Sequence, residues 1–162
     1  MNPTKETTSL SYLNATGHIP YGMTNDYMFR LILEKNNYVL KGLICSLLSL
    51  TPEKIISVEI QNPILLNETV KDKEFILDIK VLMNDSAIIN LEMQMAYMLN
   101  WRERSLSYLC RAFDQLSHGQ LYDNVKPAIH IGFLNFNPTP DDKPEFYASY
   151  KLLNEKTHAA YS

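Results

Sequence analysis

The chain has 162 residues, 46% of them apolar and 20% charged, with a net charge of −3. That balance excludes a collagen-like, low-complexity or disordered chain, and it leaves no global positive field to draw in nucleic acid. One domain with a sizeable core is expected, and any nucleic-acid contact must come from a local basic patch.

Residues 1–24 are polar and aperiodic and read as an N-terminal arm or tail ahead of a domain over 25–162. They hold no apolar run of signal-peptide length. The most apolar stretch, Val39 to Leu50, is interrupted by Lys41, Gly42 and Ser46 and is too short to span a bilayer. The expectation is a soluble, cytoplasmic chain with no membrane contact. Cys45 and Cys110 make no disulfide framework and are expected as buried core thiols.

Asn25 can cap a helix, and Asp26 places a negative charge in its first turn. Met28, Leu31 and Ile32, then Val39, Leu40, Leu43, Ile44, Leu47 and Leu48, recur at helical spacing. This predicts one or two helices over about 26–50, broken near Asn36-Asn37 and stopped by Thr51-Pro52. Ile55 to Ile60 is a short β-branched strand. Glu74 to Met83 and Ser86 to Met95 are two strands joined by a hairpin turn. From Asn100 the helical period returns, with Leu106, Leu109, Cys110, Phe113 and Leu116 on one stripe and Gly119 as the stop. Pro127 to Phe136 is apolar almost throughout, as in a strand covered on both faces. Phe146, Ala148, Tyr150 and Leu152 alternate and predict a last strand. The order is α-β-β-β-α-β-β, an α/β architecture with a central mixed sheet flanked by helices.

The hairpin carries the chemistry. A one-residue slip would turn every side chain to the other face, so matching faces sets the register. A three-residue loop, Asn84-Asp85-Ser86, pairs Ile79 with Leu91, Lys80 with Asn90, Leu77 with Met93, Ile76 with Gln94 and Asp78 with Glu92. Opposed residues have Cβ atoms about 4.5–5.5 Å apart, and two carboxylates at that distance repel. A divalent cation offsets the repulsion, because Mg²⁺ takes one or two carboxylates plus water or phosphate oxygens. Gln94 lies on the same face and can orient a water or a phosphate oxygen. The plain alternative is a pair of solvated acids neutralised by Lys80. On the helix that follows, Arg104, Ser107, Tyr108 and Arg111 cluster at three- and four-residue steps, either as a phosphate-binding face or as a solvated basic one. Trp101 is expected to pack on the sheet, and His130 to be a satisfied core histidine. There is no zinc pattern, nucleophile elbow or phosphate loop.

Asp78, thirteen further residues and then Glu92-Met93-Gln94 resemble the PD-(D/E)XK nuclease core, with Glu-x-Gln in place of Glu-x-Lys. Asn25-Asp26-Tyr27-Met28-Phe29, Leu77-Asp78-Ile79-Lys80, Ile89-Asn90-Leu91 and the helix with Arg102, Arg104, Tyr108 and Arg111 narrow the likeness. Together they resemble the transposase-associated, recombination-promoting nucleases of bacteria. The resemblance implies a restriction-endonuclease-like core and cleavage of DNA with Mg²⁺ (Mn²⁺ as a substitute), leaving 3′-hydroxyl and 5′-phosphate ends. It implies Asp78 and Glu92 as metal ligands, Gln94 in the catalytic lysine's position and Asp26 as an accessory acid; with DNA as the substrate, Arg104, Tyr108 and Arg111 on the helix face grouped above are the candidate DNA contacts. DNA is the expected partner, and a homodimer is compatible with the pattern. Family members extend further, so the domain is expected to be incomplete at its C-terminus. The alternative is a catalytically silent remnant that binds DNA or protein.

Overall fold

The computed structural model describes residues 16–17, 22–61, 79–139 and 143–161. Helix α1 spans Asp26–Lys35, and its N-cap Asn25 accepts a hydrogen bond from the Met28 amide at 3.0 Å. Asn36 ends α1 and starts α2, Asn37–Leu48. Its own N–H donates to the Ile32 carbonyl, while its Oδ1 accepts from the Tyr38 and Val39 amides. One side chain thus satisfies donors that a helix start leaves orphaned, which is why the predicted break falls there. At the far end of α2 the chain turns through Ser49 in the left-handed region (φ 53°). The Tyr147 hydroxyl donates to the Leu47 carbonyl at 2.8 Å, satisfying one of the last acceptors of α2.

Four strands follow: β1 Val58–Ile60, β2 Ile79–Met83, β3 Ala87–Gln94 and β4 Ala128–Leu134. The sheet runs β1-β2-β3-β4, antiparallel except for the parallel pair β3–β4. Helix α3, Trp101–Phe113, is the crossover between that pair, as parallel strands require. The hairpin register is the expected one: Ile79 opposes Leu91, Lys80 opposes Asn90, and Met83 opposes Ala87 across the loop Asn84-Asp85-Ser86. Asn84 and Asp85 adopt left-handed φ values of 53° and 51°, which Asn and Asp tolerate best after Gly. The Asn84 side chain also accepts from the Ile56 and Ser57 amides and donates to the Lys54 carbonyl, tying the hairpin to the β1 approach. The expected pairings of Ile76, Leu77 and Asp78 lie outside the described residues.

Alternation along β3 gives the sheet two different faces. Ile89 and Leu91 join Ile79, Val81, Phe29, Leu33, Leu40 and Ile44 in the apolar core, so α1 and α2 cover one face. Phe29 meets Phe133 of β4 there, with ring centroids 5.0 Å apart. The opposite face carries Ile88, Asn90 and Glu92, all buried, beneath α3. Helices therefore sandwich the sheet, in a restriction-endonuclease-like arrangement.

Several expectations are corrected. Residues 143–161 form no strand; a single bridge pairs Leu153 with Ala160, and the segment is exposed. Alternation without a neighbouring strand and a covering layer does not make a strand. Helix α3 stops at Phe113, well before Gly119. The Gln115 side chain there takes over the hydrogen bonding, donating to the Ala112 and Lys126 carbonyls and accepting from the Lys126 amide. Leu106, Cys110 and Phe113 face outward, so Cys110 is exposed, whereas Cys45 on α2 is half-buried against the core. The face that meets the sheet is instead Trp101, Arg104 and Tyr108. A buried carboxylate beneath the helix needs a cation, and leaving it unpaired costs more than exposing leucine and phenylalanine.

Candidate functional site

Glu92 sits near the C-terminal end of β3 with only 3% of its surface exposed. Burial of a carboxylate demands compensation. Arg104, one turn into α3, supplies it: its Nε donates to Glu92 Oε1 at 2.9 Å, and its Nη2 lies 2.8 Å from the same oxygen. The Nη2 also donates to the Tyr108 hydroxyl at 2.9 Å, and the guanidinium lies 4.8 Å from the Tyr108 ring centre. Arg111 stacks on the same ring at 6.0 Å. Of the four residues that helical spacing groups together, Arg104, Tyr108 and Arg111 therefore meet around the tyrosine ring, with Arg104 turned into the sheet.

Parallel pairing with β4 places Gly132 beside Glu92, and His130 beside Asn90. Trp101 fills the space over Gly132. A Cβ at position 132 would overlap Trp101 Cζ2 and approach Cη2 to 2.7 Å, so glycine is what lets the indole pack this closely on β4. The His130 ring lies between Trp101 and Tyr108, at centroid distances of 5.9 and 5.5 Å. Burial, with the charge of Arg104 adding to it, pushes the His130 pKa down to about 4, so the ring is neutral at pH 7. Its Nδ1 is 3.1 Å from Asn90 Nδ2. Its Nε2 is 3.6 Å from Glu92 Oε2, beyond hydrogen-bond length.

Two buried polar atoms here have no hydrogen-bond partner among the described residues: Glu92 Oε2 and His130 Nε2. Each such orphan costs about 1–3 kcal/mol. An unpartnered carboxylate oxygen is the kind of hard donor a divalent cation takes, so this part of the site fits one. Among the described residues, no group of three or more His, Cys, Asp or Glu side chains converges on a metal position.

Residues 23–162 match the family model described as PD-(D/E)XK nuclease family transposase. The chain belongs to this family. Searches of curated proteins and of solved structures gave no match. Membership in the PD-(D/E)XK family supports a nuclease-like function, in a group generally dependent on divalent metal, with DNA as the substrate class. Among the described residues, no helix is long and apolar enough to cross a membrane.

Against that family pattern, Glu92, Arg104 and Tyr108 come together, and Arg111 lies 6.0 Å from the Tyr108 ring centre. Gln94 ends β3 two residues beyond Glu92, and its Nε2 donates to the Ala96 carbonyl at 2.9 Å. Asp26 is the first residue of α1, on the helical layer that covers the other sheet face. Its Oδ1 is buried without a hydrogen-bond partner among the described residues. Asp78 lies outside the described residues. Alternation already put Asn90 on the Glu92 face, but His130 opposite Asn90 and Gly132 opposite Glu92 are neighbours that spacing did not reveal. Their common feature in the sequence is a polar or small residue interrupting an apolar strand: Asn90 and Glu92 in β3, His130 and Gly132 in β4.

Proposed function

We propose that this chain is a Mg²⁺-dependent DNA endonuclease of a transposition- or recombination-associated system, with Mn²⁺ able to substitute. The observation that carries the reading is the buried Glu92 carboxylate at a strand end, one oxygen held by Arg104 and the other without a hydrogen-bond partner among the described residues. Asp78, the sequence neighbour of Ile79, and Glu92 would hold the cation. When bound, that ion polarises the scissile phosphate and lowers the pKa of a water. The chain's own residues do the rest. Arg104 fixes the Glu92 carboxylate and brings positive charge to where phosphate must approach. Arg111, stacked on Tyr108, offers a second cation along the same helix face for the DNA backbone. Gln94 has an amide that can orient water or a phosphate oxygen, and Asp26 is an accessory acid.

One observation favours a second reading. Arg104 already neutralises Glu92, as a metal would, and a chain locked in that state binds DNA or protein without cutting. Incubation of supercoiled plasmid with Mg²⁺, Mn²⁺ or EDTA tests both. Nicking that needs the metal and disappears in Asp78→Asn and Glu92→Gln supports the nuclease. DNA retention in a gel without any nicking supports the silent module.

A further inference from the structure

The proposed metal site leaves His130 without a task, although its ring is almost wholly enclosed beside Glu92. Glu92 Oε1 is held by Arg104, while Oε2 and His130 Nε2 face one another at 3.6 Å, both buried and both without a hydrogen-bond partner among the described residues. Closing that gap by about 0.7 Å would give an ordinary hydrogen bond. The other ring nitrogen is not idle. The Asn90 side-chain nitrogen lies 3.1 Å from Nδ1, and an amide nitrogen can only donate. Nδ1 is therefore the acceptor, and in a neutral ring the proton sits on Nε2, the atom aimed at Glu92. Trp101 and Tyr108 flank the ring and hold its plane.

We propose that His130 is a positioning residue for Glu92: Asn90 sets its tautomer, and its Nε2–H steadies the carboxylate oxygen opposite the one Arg104 holds. The inference rests on Glu92 being a metal ligand, and it adds the group that orients that ligand. Ligating carboxylates are themselves hydrogen-bonded in this way, and loss of such a partner lowers metal affinity by about 10- to 100-fold.

The test uses the full chain and Mn²⁺ alone as the probe. Imidazole nitrogen shifts of the metal-free protein should show His130 protonated on Nε2 with Nδ1 bare. His130→Phe keeps the aromatic packing and removes the donor. It should bind Mn²⁺ at least tenfold more weakly by calorimetry, with a melting curve close to that of the wild type. His130→Gln retains an N–H at similar reach and should recover most of the lost affinity; this rescue is not expected of a ring that only fills space. A proton on Nδ1, or Mn²⁺ binding by His130→Phe as tight as wild type, overturns the inference alone. Wild-type protein that takes up no Mn²⁺ overturns the nuclease reading, and the inference falls with it.

Discussion

Replacing Arg104 with Met should cost this protein about 3 kcal/mol. Met keeps much of the aliphatic stem that packs on α3 and removes the charge. The Glu92 side chain is 4% exposed and that of Arg104 34%. Removing one partner of a fully buried pair costs about 3–5 kcal/mol, because the other charge is left in a poorly solvating interior. Water reaches the outer third of Arg104, which puts the expectation at the lower end of that range. For a chain of this size it corresponds to a fall of about 6–12 °C in Tm. The assay is urea unfolding of metal-free protein at pH 7, with the denaturant slope checked for constancy so that the midpoint reports stability. The double variant Arg104→Met, Glu92→Gln should be more stable than Arg104→Met alone, since it no longer buries an unpaired carboxylate. A loss under about 1 kcal/mol would refute the reasoning, because that is the worth of a pair at the surface. So would a double variant no more stable than the single one.

Gly132→Ala should destabilise by about 1–3 kcal/mol, because its Cβ overlaps an indole that is itself buried; a melting curve checks this, with quenching of the lone tryptophan by acrylamide reporting whether Trp101 has been displaced. Asn84→Ala should lose about 1–3 kcal/mol through three side-chain hydrogen bonds and a left-handed φ, and Asn84→Gly less, since glycine restores the φ; equal losses for the two would show that backbone conformation contributes nothing. The depressed His130 pKa gives a pH dependence of known sign. Between pH 6.5 and about 4 the unfolded chain takes up a proton that the folded ring does not. Stability from this residue is therefore complete above pH 6.5 and falls as pH drops through that window, by at most about 3 kcal/mol. The difference between wild type and His130→Phe, measured by urea unfolding across the window, isolates it; a difference that does not change with pH would disprove it.

Local rules were enough for much of this molecule. The Asn36 break, the Asn25 cap and the three-residue hairpin loop were legible because each depends on a few neighbouring residues. Face matching set the β2–β3 register, since a slip by one would have placed polar residues in the apolar core. The family pattern around Glu92 and Gln94 was legible for the same reason, as it lies on one short strand. The rotation of α3 was not. By composition its apolar side is Leu106, Leu109, Cys110 and Phe113, yet Leu106, Cys110 and Phe113 are exposed. What turns inward is Trp101, Arg104 and Tyr108, an arrangement dictated by a glycine and a buried carboxylate on two strands the helix connects. The approach of His130 to Asn90 and Glu92 was equally hidden. Nothing local to β4 says which of its residues lies beside Glu92, because parallel strands are joined by a long crossover and their register has no turn to set it. The sequence alone determined most of the elements and the hairpin register, and it put Glu92 on the strand that carries it. Only the tertiary structure decided that Arg104 holds Glu92 and that His130 faces its other oxygen, since those contacts join strands and a helix through packing rather than through neighbours in the chain.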